Sequence, residues 1–299
     1  MNVSRRRLHP EGPEFSRLVW GAWRANRGEE TSSPKALAGF IEGCLSLGVT
    51  TFDHADIYGG FANEALFGQA LAELKVARTA YEIVTKCGVC SVTPARPANR
   101  AKHYNASAAY IRSSVDRSLA KFGVDYVDLL LVHRPDIFTS ADDMARGLED
   151  VVAAGKVRAV GVSNHLPHQL SLLQSRLSLP IVTNQVECSI LRTGALYDGT
   201  LSQAQEMRAS PMIWSPLGGG ALFASEDPAA VKVRMTLAEL GRNYGTDDIA
   251  ALALAWLMAH PSAPFPVLGS TRIARVREAV RADTIAFDRQ DWYRFLEVP

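Results

Sequence analysis

The sequence has no long apolar run. No stretch of the 299 residues reaches the ~18 consecutive apolar positions that suggest a membrane span. The opening segment, Met1 to Arg7, lacks the apolar core of a signal peptide, so no leader is expected. Cysteine is scarce. The four cysteines, at 44, 87, 90 and 188, are too scattered to staple a chain this long, and a reducing cytoplasm is the expected compartment. Cys87 and Cys90 have the spacing of half a zinc site or a redox pair, but no second such pair follows, and chance spacing is the simpler reading. Charge of one sign is also missing. Lys and Arg number 32 against 31 Asp and Glu, so no strongly basic face is expected and nucleic acid is not an expected partner. The short Arg5-Arg6-Arg7 run reads as a solvated tail. No Gly/Ser-rich or Pro-rich linker divides the chain, so one domain over 1–299 is expected.

What is present is an alternation of short β-rich runs and amphipathic helical stretches. A hydrophobic fraction of 47% supports a core of useful size. Strands are predicted at Arg17–Trp20, Thr50–Phe52, Tyr81–Thr85, Val127–Val132, Val157–Val162, Ile181–Thr183, Met212–Trp214 and Phe265–Leu268. Helical patterns separate them. The first covers Pro34 to Leu47, with Ser33 as N-cap and Pro34 at the first helical position. Others cover Ala62–Leu74, Ser107–Phe122, Ser140–Ala154, Pro167–Ser175, Leu196–Arg208 and Pro228–His260, the last broken near Gly245. Helices at Ile273–Ala282 and Arg289–Leu296 close the series. Strictly alternating βα units imply a parallel sheet, and eight of them suggest closure into a (β/α)8 barrel. An open doubly wound sheet would want a G-x-G-x-x-G turn near the start. The one glycine cluster, Gly218-Gly219-Gly220, follows the seventh strand and lacks that spacing.

In such barrels the chemistry sits where the strands end. Strand 1 ends at Gly21-Ala22-Trp23 and strand 2 at Asp53, with Tyr58 five residues on. Strand 3 ends at Lys86 and strand 4 at His133. Taken singly, Asp53 would pass for a turn cap, Lys86 for a solvated residue and His133 for a structural histidine. Together they come from neighbouring strands. A tyrosine with an ordinary pKa of ~10 is a poor acid at neutral pH, and a nearby ammonium lowers that value. Lys86 is placed to do this, Asp53 to hold Lys86, and His133 to bond a substrate oxygen. A tuned acid beside an oxygen donor suits carbonyl reduction, given a hydride donor. Strands 5 to 8 offer room for one. Ser163, Asn164 and Gln185 could bond a carboxamide, and Trp214 could stack on a flat ring. The Ser215–Gly220 loop and the Gly269-Ser270-Thr271-Arg272 turn could approach phosphates, with Arg272 and Arg275 adding charge. A metal-dependent hydrolase built on His133, Asp53 and His54 would want a His-x-His pair, which is missing.

These residues resemble the aldo-keto reductases. The resemblance is carried by Gly48-Val49-Thr50-Thr51-Phe52-Asp53-His54-Ala55-Asp56-Ile57-Tyr58-Gly59, Thr85-Lys86-Cys87-Gly88 and Leu129-Leu130-Leu131-Val132-His133-Arg134-Pro135. It continues through Gly155-Lys156-Val157-Arg158-Ala159-Val160-Gly161-Val162-Ser163-Asn164 and Trp214-Ser215-Pro216-Leu217-Gly218, in family order along nearly the whole chain. The form Phe52-Asp53-His54-Ala55-Asp56-Ile57-Tyr58-Gly59-Gly60 is most similar to bacterial oxidoreductases of that family. The resemblance implies a TIM barrel of aldo-keto reductase type and NADPH-dependent reduction of an aldehyde or ketone, with Tyr58 as general acid, Lys86 and Asp53 as its tuning pair and His133 as orienter. It implies that Ser163, Asn164 and Gln185 hold the nicotinamide amide and that Trp214 stacks on the ring. Ser215, Leu217, Gly218, Ser270, Thr271, Arg272 and Arg275 fall on phosphate contacts, and Glu278 on an adenine contact, with Ala279 where the family often has Asn. Gly21, Ala22, Trp23, Asp53, Pro216 and Gly269 complete the expected cofactor set. The short tail to Pro299 predicts an open pocket. A small carbonyl compound is the expected partner, with no membrane, and the chain is expected to be a monomer or weak homo-oligomer. A cofactor-binding regulatory subunit is the alternative.

Overall fold

The computed structural model describes residues 2–296, so the last three residues of the tail, on which the open-pocket expectation partly rests, lie outside it. Eight strands pair in parallel and close on themselves. In chain order they are β1 (Val19–Gly21), β2 (Thr51–Asp53), β3 (Glu82–Cys87), β4 (Leu129–Val132), β5 (Val160–Ser163), β6 (Ile181–Glu187), β7 (Met212–Trp214) and β8 (Phe265–Leu268). The eighth returns to the first, with Leu268 opposite Trp20. This is the (β/α)8 barrel that the alternating pattern predicts. Helices α1 (Pro34–Ser46), α2 (Asn63–Glu73), α3 (Ala108–Phe122), α4 (Ala141–Ala153), α5 (Pro167–Gln174), α6 (Thr200–Glu206), α7 (Pro228–Tyr244), α8 (Ile249–Met258) and α9 (Ile273–Ala279) follow the strands. Ser33 caps α1 as expected, its side chain accepting from the Ala36 amide.

Several boundaries differ from the sequence reading. The predicted helix at Leu196–Arg208 is two pieces, Gly194–Tyr197 and Thr200–Glu206, divided at Gly199. The predicted strand at Val157–Val162 begins at Val160, because Val157 makes only an isolated bridge to Val127. The predicted strand at Ile181–Thr183 runs on to Glu187, so Asn184 and Gln185 belong to β6 itself. Its pairing with β5 shifts between Ile181 and Asn184. Such an irregularity re-aims side chains, and Gln185 points across the barrel to Asp53.

The largest difference lies at the N-terminus. Arg5-Arg6-Arg7 is not a solvated tail. It is one strand of an antiparallel hairpin with Glu14–Ser16. The Arg5 guanidinium reaches Glu82 at 2.7 Å and Thr50 at 2.6 Å, which ties the hairpin to β3 and the turn before β2. The hairpin inserts Leu8, just after its first strand, and Phe15, within its second, both fully buried, into a cluster with Val84, Leu129, Leu131, Met212 and Phe265 of the barrel interior. The hairpin is therefore a plug in the N-terminal mouth of the barrel. A cluster of charged side chains hid this role, because the arginine strand is itself exposed and the apolar residues that anchor the hairpin, Leu8 and Phe15, follow it.

Phe15→Ala removes an aromatic ring from this plug. Buried Phe→Ala changes cost about 3–5 kcal/mol. Urea unfolding should show a loss in that range, and a change below about 1 kcal/mol would mean that the hairpin does not seal the barrel.

Candidate active site

The C-terminal ends of the strands surround one cavity of about 1180 Å³. Lys86, near the end of β3, has no side-chain exposure, and Asp53 at the end of β2 is 3% exposed. The Lys86 ammonium donates to both Asp53 carboxylate oxygens at 2.8 and 2.7 Å and to the His54 carbonyl at 2.8 Å. It also donates to the Tyr58 hydroxyl at 3.2 Å. Asp53 receives a further bond from the Gln185 amide at 2.9 Å. Burial alone would pull the lysine pKa down, but Asp53 and then Tyr58 hold it above its usual value.

Tyr58 sits where the chain turns sharply. Its amide bonds the Ala55 carbonyl, and it opens a single helical turn, Tyr58–Phe61, in which Gly59 and Gly60 are left-handed. A Cβ at Gly59 would collide with the Asn63 side chain, which is buried and bonded to the Ala22 carbonyl at 2.7 Å. Only glycine fits there, and this turn swings the phenol back over Lys86. The His133 ring stands edge-on to Tyr58, with centroids 5.8 Å apart.

The direction of the Tyr58 shift corrects the sequence reading. Burial raises the phenol pKa, and the opposing pull of Lys86 is the smaller effect. Tyr58 is thus a neutral, proton-bearing phenol around neutral pH. Burial, then Lys86 and Arg134, push the His133 pKa well down, so its imidazole is neutral as well. Its Nδ1 is buried with no partner among the described residues. A neutral phenol and a neutral imidazole side by side are both able to donate to an oxygen placed in the cavity.

Most of the remaining predicted residues line the same cavity. Gly21, Trp23, Ser163, Asn164, Gln185 and Trp214 do, as do Ser215, Pro216, Leu217, Gly269, Ser270, Arg275 and Glu278. Ala22, Gly218, Thr271 and Arg272 do not line it, and Ala22 is fully buried. Arg272 caps α9, its amide bonded to the Ser270 hydroxyl. The polar groups on β5 and β6 are already engaged. The Ser163 hydroxyl donates to the Gln185 carbonyl, the Asn164 amide to Ser163, and the Trp214 indole to Asn164 at 3.0 Å. Asn164 and Ser215 both hold positive φ, 58° and 51°, beside the cavity. Backbone held in such sparsely populated conformations gathers at functional sites.

Other lining residues escaped the sequence reading. Arg24 follows β1, Arg134 follows His133, and Lys102 and Tyr104 lie on the long β3–α3 connection. That connection forms a small hairpin, Val89–Cys90 with His103–Tyr104, which no periodicity announces. Asp247, Asp248 and Arg281 line the cavity as well. Arg134 could have been found from its place beside His133. The Cys87 and Cys90 thiols are both buried, and burial pushes both pKa values up, away from the reactive thiolate. His54, the ligand that a metal-hydrolase reading needs, is fully buried in an aromatic cage of Phe67, Phe122 and Trp20, with neither ring nitrogen partnered among the described residues.

Known proteins share this architecture. A model of the Aldo/keto reductase family matches residues 17–298. The "6-dehydroglucose reductase" of Agrobacterium fabrum is 45% identical over 280 residues, which is 94% of this chain and 93% of that protein. "Oxidoreductase YdhF" of Escherichia coli is 45% identical over 292 residues, 98% of this chain and 96% of that one. A crystallised thermostable aldo-keto reductase in complex with the inhibitor epalrestat superposes with a TM-score of 0.83 at 25% identity, over 98% of each chain.

Burial lowers the His54 pKa from its ordinary 6.5 to about 3. The unfolded chain therefore takes up a proton at His54 before the folded one does, and stability falls as pH drops from 6.5 towards 3. His54→Phe should make the unfolding midpoint less sensitive to acid than the wild type between pH 6.5 and about 4. Parallel pH profiles for the two proteins would show that His54 is not held neutral.

Proposed function

The chain belongs to the aldo/keto reductase family, and from that footing we propose that it reduces aldehydes or ketones to alcohols with NADPH, using Tyr58 as the general acid. One observation carries the reading: the buried Lys86 ammonium, locked to Asp53, bonds the hydroxyl of a tyrosine that faces a large cavity beside a neutral histidine.

The cavity fits a dinucleotide together with a small substrate. Its volume, about 1180 Å³, exceeds the ~300–1,000 Å³ of pockets that hold one drug-sized ligand. A Cβ added at Gly220 or Gly269 would meet nothing, so the backbone there is open to close approach by phosphates. Trp214 offers a half-buried aromatic face between Asn164 and Ser215. Gln185 and Ser163 line the cavity beside it, and a carboxamide there would exchange with the bonds they now make to Asp53 and to one another. Arg275, on the α9 side of the cavity, and Arg281 would pair with a 2′-phosphate. Arg272 is a weaker candidate for that role, since it stands off the lining.

A reduced nicotinamide bound here would supply the hydride to the carbonyl carbon. Tyr58 and His133 would then hold the carbonyl oxygen from two sides and polarise it. As negative charge builds on that oxygen, the Tyr58 proton moves to it, because an alkoxide is a far stronger base than a phenolate. Lys86 stabilises the phenolate left behind, and Asp53 keeps Lys86 in place and charged. The raised phenol pKa suits this role. Tyr58 keeps its proton until the substrate oxygen demands it. No feature of the site favours the alternative of a slowly turning regulatory subunit.

Tyr58→Phe should lose at least about 100-fold in kcat against aldehydes while NADPH still quenches tryptophan fluorescence. Normal turnover by this variant would refute the mechanism. In the same titration NADPH should bind the wild type more tightly than NADH. Equal affinities would remove the assignment of Arg275 and Arg281.

A further inference from the structure

The charges around the cavity are unevenly shared. Four carboxylates line it: Asp53, Asp247, Asp248 and Glu278. Asp53 is neutralised by Lys86. Glu278 lies on α9, and Asp247 and Asp248 precede α8, which packs against α9, so these three belong to that side. Arg275 and Arg281 stand on that side too, and Arg24 reaches the Gly219 loop, whereas Arg134, beside His133, and Lys102, beside Tyr104, line the rest of the cavity with no carboxylate near them but Asp53; neither forms an ion pair among the described residues. Arg134 is half-buried, and its guanidinium has only the Trp214 ring as a partner, 6.0 Å from the centroid. Its charge is felt at both Tyr58 and His133. The Arg24 guanidinium makes one bond, to the Gly219 carbonyl at 3.3 Å, which leaves its charge uncompensated. Unpaired cations around a concave surface repel one another and raise the local concentration of anions. Between them lie apolar faces, Trp23, Ile57, Val89 and Tyr104.

We propose that the substrate of this site is a carbonyl compound with an apolar body and a carboxylate remote from the reacting carbon, and that Arg134, assisted by Lys102, receives the carboxylate. The proposal rests on the reading of this cavity as that of a carbonyl reductase. Tyr58 and His133 take the carbonyl oxygen, the apolar faces take the body, and the planar guanidinium of Arg134 matches the two oxygens of the carboxylate. The anion fills the missing counter-charge, so recognition costs little reorganisation of the protein. The same cations strengthen binding of any substrate whose carbonyl oxygen gains negative charge during reaction, but only a carboxylate-bearing substrate gains from them in the ground state.

The test uses one matched pair, 4-carboxybenzaldehyde and its neutral methyl ester, assayed with NADPH. The wild type should favour the acid in kcat/KM, chiefly through KM. Arg134→Met should lower the acid-to-ester ratio by about 10- to 100-fold, the loss expected for one hydrogen bond between charged groups. Arg134→Lys keeps the charge and should recover part of the ratio, which separates a folding defect from a lost contact. Lys35→Met, which takes the same charge from the surface of α1, should leave the ratio unchanged. Calorimetric binding of the product acid, 4-(hydroxymethyl)benzoate, gives a readout without turnover and should weaken in Arg134→Met. A wild type that does not favour the acid, or a ratio that Arg134→Met and Lys35→Met change alike, overturns the proposal while leaving the reductase reading in place. If neither aldehyde is reduced but the product acid binds in an Arg134-dependent way, the reductase reading falls and the anion site stands. Failure of both reduction and binding overturns both.

Discussion

Lys86 carries a positive charge to a place where its side chain has no exposure, and the arrangement of the upper barrel follows from keeping that charge satisfied. A buried ammonium without partners costs several kcal/mol, and a buried pair is tolerated only when its remaining hydrogen-bonding positions are also filled. Here they are. Lys86 meets Asp53, the His54 carbonyl and the Tyr58 hydroxyl, and Asp53 takes a further bond from Gln185. The partners come from β2, β3, β6 and the turn after β2. Their registers are therefore not free: Asp53 stands opposite Val84, Lys86 opposite Leu131, and the irregularity in β6 turns Gln185 inward. The turn at Gly59 adds the last partner.

The consequence is a site whose working groups are neutral. Burial drives Tyr58 up and His133 down, so a phenol and an imidazole face the cavity without net charge, backed by a fixed ion pair. Such a pair of donors responds to charge that develops on a bound oxygen and costs little to desolvate beforehand. The unpaired cations, by contrast, lie further out, half-buried at Arg134 and Arg24 and exposed at Lys102. Charge is thus sorted by depth: paired at the floor, absent in the working layer, unpaired beyond it.

Much of this was legible in the sequence. The alternation of short apolar runs with capped helices fixed the barrel, because a parallel strand covered on both faces must read as a continuous apolar run. Asp53, Tyr58, Lys86 and His133 were legible because a barrel brings the ends of adjacent strands together. What stayed hidden depends on position in space. The plug formed by Leu8 and Phe15 shows no period, since its first strand is wholly exposed and the two buried apolar residues stand seven positions apart around a turn. The strand-end pattern offers Gln185 as a partner for a carboxamide, but its bond to Asp53 spans 132 residues of chain and no local rule announces it. The sign of the Tyr58 shift needed the depth of the phenol, because a neighbouring ammonium and burial pull in opposite directions. Lys102 and Tyr104 lie on a connection whose path no local rule dictates.

The N-terminal plug bears on how the chain is made. Ser4 bonds Asp283, 279 positions away, and the carbonyl of Leu8 accepts from Ser210. Phe15 shares a buried apolar cluster with Phe265, a residue of the last barrel strand. On a ribosome that adds ~5–20 residues per second, the first segment therefore waits on the order of ten to fifty seconds for its final partners. During that time two greasy side chains and an unsealed sheet are open to other chains. Contacts this distant in sequence slow the search for the native state. The barrel can therefore be sealed at its N-terminal mouth only after its last strand has been made.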